Sequence, residues 1–288
     1  MTSVAVTQMR SRQGLGTRIW AFAKHHALTV YALLVVAYLL LPIAVVILFS
    51  FNHPSGSFNY VWEEFTFDNW IHWNAVLGIQ DAIVTSLEVG LLATIVATAL
   101  GTLIAMAIVR HHFVGRGATN VLVFLPLSTP EIVLGASLLT LFLNTTQVFQ
   151  LGFWTIFIAH VMFIVSFVVV TVKARLIGFD RHLEEAAMDL GANELTTFRK
   201  VTLPLIAPAM LAAALLGFAL SIDDFVITYF NGGTVNQTFP VFVWGIARVA
   251  VPPQVNVVAS AIFLVAIALG LANVFWQYRS AKRSQGAV

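Results

Sequence analysis

The chain has 288 residues, of which 59% are hydrophobic and 10% are charged, and its formal net charge is +2. Soluble domains are about 45–50% apolar and about 25% charged, so this composition excludes a soluble globular protein and indicates an integral membrane protein. Cysteine is absent, which excludes disulfide bonds and thiolate metal sites.

Six apolar runs are long enough to cross a bilayer, which takes about 20 residues. Because lipid offers the backbone no hydrogen bonds, each run is predicted to be an α-helix. The predicted fold class is therefore all-α, a polytopic membrane protein with six transmembrane helices. The predicted spans are 27–51, 82–109, 119–143, 152–172, 205–230 and 255–278.

The basic residues predict the orientation of these spans. Of the 15 Lys and Arg residues, all but Arg248 fall in segments on one side of the predicted membrane. Since Lys and Arg accumulate on the cytoplasmic side, both termini are predicted to be cytoplasmic, as tails over 1–26 and 279–288. An acid near the outer side of the membrane is a candidate partner for Arg248.

The two longer external connections carry different signals. Residues 52–81 form an external loop rich in Phe, Tyr and Trp, either as an aromatic belt at the membrane interface or as a surface that meets an external partner. The second connection, 231–253, is bounded by turn signals, and its apolar stretch 241–251 is a candidate re-entrant segment.

A charged segment between the fourth and fifth runs reads EAAMDLGANELTTFRKVTLP over residues 185–204. Residues 181–190 are predicted to form a short helix, and Gly191 suits the left-handed residue that ends it. Asn193 is the predicted N-cap of a second short helix over 194–200. The sequence therefore predicts a compact pair of short helices joined directly to the fifth span.

The spacing E-A-A-x3-G-x9-V-x-L-P in this segment resembles the EAA loop of membrane subunits of bacterial ABC importers. The resemblance implies a MetI-like type I permease core over 82–278, with a cytoplasmic coupling loop at 174–204. It also implies that the loop docks as a helix in the groove of a separate ATPase. The residues that the resemblance assigns to this contact are Glu184, Glu185, Ala186, Ala187, Asp189, Gly191, Leu203 and Pro204.

The chain itself lacks the pattern for P-loop ATP hydrolysis. It contains no Gly-Lys pair, and therefore no Walker A phosphate loop. No catalytic or metal-binding motif was recognised, so we expect a transport subunit rather than an enzyme. ATP and magnesium are expected on the partner ATPase, with no cofactor in this chain.

Ionisable residues inside a membrane are costly and usually functional. Asp223 and Asp224 are adjacent near the outer end of the fifth run, and neighbours on a helix point about 100° apart. One acid is therefore free to line a pathway while the other pairs with a neighbour; the alternative is that the acids hold helices or subunits together. Acids beside aromatic rings suit a flexible cation. The candidate pathway residues are Asp223, Asp224, Glu131, Phe225, Tyr229 and Glu88.

Three further stretches are similar to spermidine/putrescine-type permeases, most of all to the second of the two permease subunits. They are SIDDFVI at 221–227, Pro130 with Glu131, and PPQVNVVASAIFLV at 252–265. The resemblance implies a bacterial inner-membrane machine. Its other parts are a second permease subunit (PotB-like), an ATPase homodimer (PotA-like) and an extracellular or periplasmic polyamine-binding protein (PotD-like).

Other interpretations stay open at this point. Importers of ferric iron, thiosulfate or other small solutes share much of this pattern. A secondary transporter is the main alternative class, but it predicts two related halves with broken helices. His160, in the fourth run, is either an interhelical hydrogen-bonding residue or part of a proton relay.

Overall fold

A computed structural model describes residues 15–145, 150–234 and 236–285. Within these residues the chain forms helices, turns and an isolated antiparallel bridge between Asn52 and Phe65, so the all-α prediction is confirmed. The helices are α1 (Leu15–Phe49), α2 (Asp68–Ile71), α3 (Ile79–Arg110), α4 (Arg116–Ser128), α5 (Glu131–Asn144), α6 (Phe153–Ile177), α7 (His182–Asp189), α8 (Glu194–Thr197), α9 (Leu203–Asp223), α10 (Val226–Asn231), α11 (Phe239–Ile246) and α12 (Pro253–Gln285).

Several of these helices are long and apolar enough to cross a bilayer. In the described part of the chain there are 4, namely His26–Phe49, α3, α6 and the continuous helix Glu194–Asp223. The pair α4 and α5 adds a fifth span if the two helices are counted together. In α12, the apolar part is the shorter stretch Pro253–Ala268.

Two of the predicted spans are broken rather than continuous. The predicted span 119–143 is divided into α4 and α5, which are bent by 111°. The break lies at Pro130, because proline lacks an N–H and pushes the preceding residue out of the helical region; Thr129 has ψ 133. The predicted span 205–230 ends at Asp223, because Asp224 is extended with ψ 125 and a separate helix, α10, follows.

The described part of the chain divides into two compact units. The first unit extends to Trp73 and resumes at Pro252, and in it α1 packs against α12. Buried asparagines organise the loop after α1: Asn52 Nδ2 donates to Asn59 Oδ1 at 2.6 Å, and Asn69 Nδ2 donates to the Asn52 carbonyl at 2.8 Å. The aromatic residues predicted in this loop are therefore carried on a hydrogen-bonded scaffold.

The second unit, Asn74–Val251, is built on α3, α6 and α9, which pack against one another. Glycines set the closeness of this packing. A Cβ atom on Gly101 would lie 2.7 Å from the Val168 side chain, and one on Gly217 would lie 2.5 Å from Ile164. These three helices carry two features: residues 174–204, which we call the coupling segment, and the helix break between Asp223 and Asp224.

Candidate functional site

The coupling segment has the local structure that its sequence predicts. α7 ends with the N–H of Ala192 donating to the carbonyl of Ala187 at 3.1 Å, and the N–H of Gly191 donating to that of Met188 at 2.9 Å. This is a Schellman end, and Gly191 has φ +87, as the left-handed position requires. Asn193 Oδ1 accepts from the N–H of Thr196 at 2.8 Å, which confirms the predicted N-cap.

The second short helix does not stop at residue 200. α8 continues into a π-helical turn, Phe198–Thr202, which leads directly into α9. The coupling segment is therefore joined to a membrane-length helix without an intervening loop.

Glu184 anchors α7 to the rest of the second unit. Its Oε1 lies 2.7 Å from Arg110 Nη2, at the end of α3, and accepts a hydrogen bond of 2.5 Å from the Thr202 hydroxyl. The Arg110 and Glu184 side chains are 9% and 16% exposed, and the Arg110 guanidinium also lies over the Phe179 ring. The Glu184 carboxylate therefore binds two residues of its own chain, whereas the sequence resemblance assigned Glu184 to the contact with a partner ATPase.

The exposed side of the coupling segment carries apolar side chains. Leu190 is 90% exposed and Leu195 is 74% exposed, and Leu183 and Met188 are also exposed. Among the other residues assigned to this contact, Glu185, Ala186, Asp189, Gly191 and Pro204 are exposed, while Ala187 and Leu203 are half-buried. A small apolar face with acids beside it is suited to insertion in a partner's groove.

An exposed ion pair lies at the start of α7. Asp180 Oδ1 is 2.6 Å from His182 Nδ1 and also accepts from the His182 backbone N–H at 3.1 Å. Hydrogen bonding to His182 lowers the pKa of Asp180, and the bond to the Asp180 carboxylate raises the pKa of His182 above its ordinary value. The turn before α7 is therefore held partly by charge.

The break after α9 separates the two adjacent acids. The Asp224 side chain is 5% exposed. Its Oδ2 accepts from the backbone N–H and the hydroxyl of Thr228, both at 2.8 Å, and its Oδ1 accepts from the N–H of Ile227 at 3.2 Å. Asp224 thus caps the first turn of α10, whereas Asp223 is exposed.

His160 on α6 completes the buried polar cluster around Asp224. Its Nε2 is 2.9 Å from Thr228 Oγ1 and 3.2 Å from Asp224 Oδ2, and its Nδ1 is 2.6 Å from Ser221 Oγ. The His160 side chain is 1% exposed. The structure therefore agrees with an interhelical hydrogen-bonding role for His160, linking α6 to α9 and α10.

The exposed acid is followed by a group of aromatic side chains. Phe225 lies 5.3 Å from Tyr229 and 5.4 Å from Trp244 of α11, measured between ring centroids. Tyr229 is 52% exposed and Trp244 is 50% exposed. We call Phe225, Tyr229 and Trp244 the aromatic shelf; ring faces suit a cation, and the exposed Asp223 lies two residues before Phe225 in the chain.

Sequence reasoning missed Trp244, because it lies 15 or more positions from the other two rings in an apolar stretch with no charged neighbour before Arg248. The Arg248 guanidinium lies over the Trp244 ring, with Cζ 5.4 Å from its centroid, and among the described residues it forms no ion pair with an acid. The remaining candidates, Glu131 in the first turn of α5 and Glu88 on α3, are both exposed.

A polytopic helical chain with an exposed pair of short helices between two membrane-length helices is the architecture expected of a transport permease. Residues 97–285 match the family model described as the inner membrane component of binding-protein-dependent transport systems. The chain belongs to this family. It is thus a multi-span membrane protein, and its relatives are ABC permease subunits.

Individual relatives agree with this assignment. The chain is 37% identical over 241 residues to the spermidine/putrescine transport system permease protein PotC of Escherichia coli K12, covering 82% of this chain and 88% of the relative. It is 36% identical to the putrescine transport system permease protein PotI of the same organism, covering 81% and 84%.

A solved bacterial ABC transporter for import of the acidic polysaccharide alginate has a similar fold. The TM-score is 0.62 at 16% identity, covering 92% of this chain and 99% of that one. At this identity the likeness concerns the fold alone, and it supports the MetI-like permease architecture.

Proposed function

We propose that this chain is one of two permease subunits of an ATP-driven importer of polyamines, and that it forms half of the translocation pathway. The observation that best supports polyamines as the substrate is the 37% identity to a spermidine/putrescine permease over 82% of the chain. The exposed Asp223 and the aromatic shelf, which begins two residues later in the chain, also support it, because ammonium groups bind carboxylates and the faces of aromatic rings.

The proposed topology has six transmembrane helices in the inner membrane of a bacterium, with both termini in the cytoplasm. The distribution of Lys and Arg supports this orientation. It places the coupling segment in the cytoplasm, and Asp223 and the aromatic shelf toward the outer side. In this topology the bent pair α4 and α5 counts as one span and α12 as the sixth.

The proposed partners are a second permease subunit, an ATPase homodimer and an extracellular polyamine-binding protein. The ATPase would bind ATP and magnesium and supply the energy. The exposed apolar face of the coupling segment supports docking to it, with Ala186, Gly191 and Pro204 on the surface. The Arg110–Glu184–Thr202 contact would pass movement of α7 to α3 and α9.

Within the pathway we assign different roles to the candidate residues. Asp223, Phe225 and Tyr229 are proposed to meet the substrate directly, with Glu131 and Glu88 as exposed acids on α5 and α3. Asp224 is proposed to hold α10 in position rather than to contact the substrate, because its oxygens already accept hydrogen bonds from the first turn of α10. The pathway thus depends on Asp224 for the position of α10 rather than for contact with the cation.

The decisive experiment measures uptake of labelled spermidine and putrescine in cells from which this gene has been deleted and then restored. We expect uptake to fall on deletion and to return with the wild-type gene, in a strain without a second polyamine system. An Asp223→Asn gene should restore the assembled complex but only weak uptake. If neither polyamine depends on the gene, the polyamine assignment is wrong, and ferric iron and thiosulfate become the next substrates to assay.

A further inference from the structure

The aromatic shelf already holds a cation that the chain itself supplies. Arg248 is the only Lys or Arg in the second unit beyond Lys200. Its guanidinium carbon is 5.4 Å from the centroid of the Trp244 ring, and Trp244 is 5.4 Å from Phe225. A side chain of this protein therefore covers one end of the surface that suits an ammonium group.

This internal contact is of a kind that a ligand can displace. Trp244 is 50% exposed and Arg248 is exposed as well, so the cation–π contact is made in the presence of water. In the part of the chain that the structure describes, no carboxylate forms an ion pair with Arg248 that would hold it in place. Exposed cation–π contacts are weak, so Arg248 is able to leave the ring.

The geometry points to Arg248 as a tethered competitor of the substrate, which covers the Trp244 face until an ammonium group of a polyamine displaces it. The inference rests on the proposed function and adds a residue that lowers the affinity of the pathway for its cation. Asp223 lies two residues before Phe225, which itself contacts Trp244. An ammonium group that takes the place of Arg248 on Trp244 lies against the same group of rings as Phe225 and Tyr229.

The test measures the KM and kcat for uptake of labelled putrescine in cells that carry the complete importer, with the amount of assembled complex measured for each variant. Arg248→Gln removes the tethered cation and is expected to lower the KM by about two- to fivefold with little change in kcat, the range that an exposed cation–π contact allows. Unlabelled butylamine should inhibit this variant more strongly than it inhibits the wild type. Arg248→Lys retains a tethered cation and should keep the wild-type KM within about twofold.

A second background separates competition at the ring from a general effect of charge. In Trp244→Leu the ring face is absent, so the additional change Arg248→Gln should leave the KM where Trp244→Leu has put it. A KM that is unchanged or raised by Arg248→Gln in the wild-type background overturns the inference while polyamine uptake itself stands. An equal fall of the KM in the Trp244→Leu background also overturns it, because the effect then comes from net charge. If the wild type transports neither polyamine, both the proposed function and this inference fail.

Discussion

Asp223 and Asp224 are adjacent in the chain, yet we expect opposite consequences when each is changed to asparagine. Asp224→Asn replaces one carboxylate oxygen by an NH2 group at a site where the surrounding groups are donors. These donors are the backbone N–H of Ile227 and the N–H and hydroxyl of Thr228. Whichever way the amide is turned, at least one buried donor loses its acceptor and faces another donor.

The magnitude follows from the hydrogen bonds that the substitution breaks. A hydrogen bond to a charged group contributes about 1.5–3 kcal/mol, and a buried donor left without a partner costs about 1–3 kcal/mol. His160, 3.2 Å from Asp224 Oδ2, is deprived of a charged neighbour as well. We therefore expect Asp224→Asn to lower the free energy of unfolding by about 2–5 kcal/mol. Asp223 is exposed, so Asp223→Asn should change it by no more than about 0.5 kcal/mol.

The assay is thermal unfolding of the purified importer, followed by the fraction that remains monodisperse after heating. For Asp224→Asn we expect the midpoint to fall by on the order of 10 °C, and less assembled complex in the membrane. Asp223→Asn is the matched control, since it makes the same chemical change one residue away. An Asp224→Asn midpoint equal to that of the wild type, or a larger loss in Asp223→Asn, would refute the reasoning.

Three further predictions concern the coupling segment. Gly191→Ala and Gly191→Asp both strain a residue with φ +87 by about 1 kcal/mol, but only the aspartate adds charge to the exposed face of the coupling segment. We therefore expect the ATPase to co-purify with Gly191→Ala and not with Gly191→Asp. Equal co-purification with both variants would show that this face does not contact the ATPase. Glu184→Gln should lower the free energy of unfolding by about 1–3 kcal/mol and reduce transport-coupled ATP hydrolysis. Glu185→Gln, at an exposed position, should leave the free energy of unfolding unchanged. An equal loss of stability in both variants would contradict the role of Glu184 in holding α7 to Arg110 and Thr202. The Asp180–His182 pair should protect the amides of α7 from hydrogen exchange most at pH values between the two pKa values. The pKa of His182 is raised on folding, so its stabilising contribution is complete below the pKa of the unfolded state and is lost as pH rises through the pKa of the folded state. The pKa of Asp180 is lowered on folding, so its contribution is lost as pH falls through the pKa of the folded state. Flat exchange protection across this range would contradict the charge contribution.

Local chemistry explains which features were predictable from the sequence. The Schellman end at Gly191 and the cap at Asn193 depend on residues within five positions, so the sequence contains all the atoms that decide them. The membrane helices follow from long apolar runs for the same reason. The coupling motif identified the family because its spacing is conspicuous in an otherwise apolar chain.

Other features depend on contacts between residues far apart in the chain. Glu184 meets Arg110 across 74 positions, and His160 meets Thr228 across 68. The bend between α4 and α5 lies at Pro130, yet a proline alone allows either a kinked span or a sharp break, here of 111°. Neither the partner of Glu184 nor the size of the bend can be derived from neighbouring residues.

The sequence by itself determined that this is a helical membrane protein with a motif that resembles the EAA loop of ABC importers, because apolar runs and a spaced motif are properties of consecutive residues. Only the tertiary structure decided that Asp224 is buried with His160 while Asp223 is exposed, and that Trp244 joins Phe225 and carries Arg248 on its face. Two identical neighbouring side chains differ in role because the helix breaks between them, and the packing of α6, α10 and α11 around that break decides what each one meets.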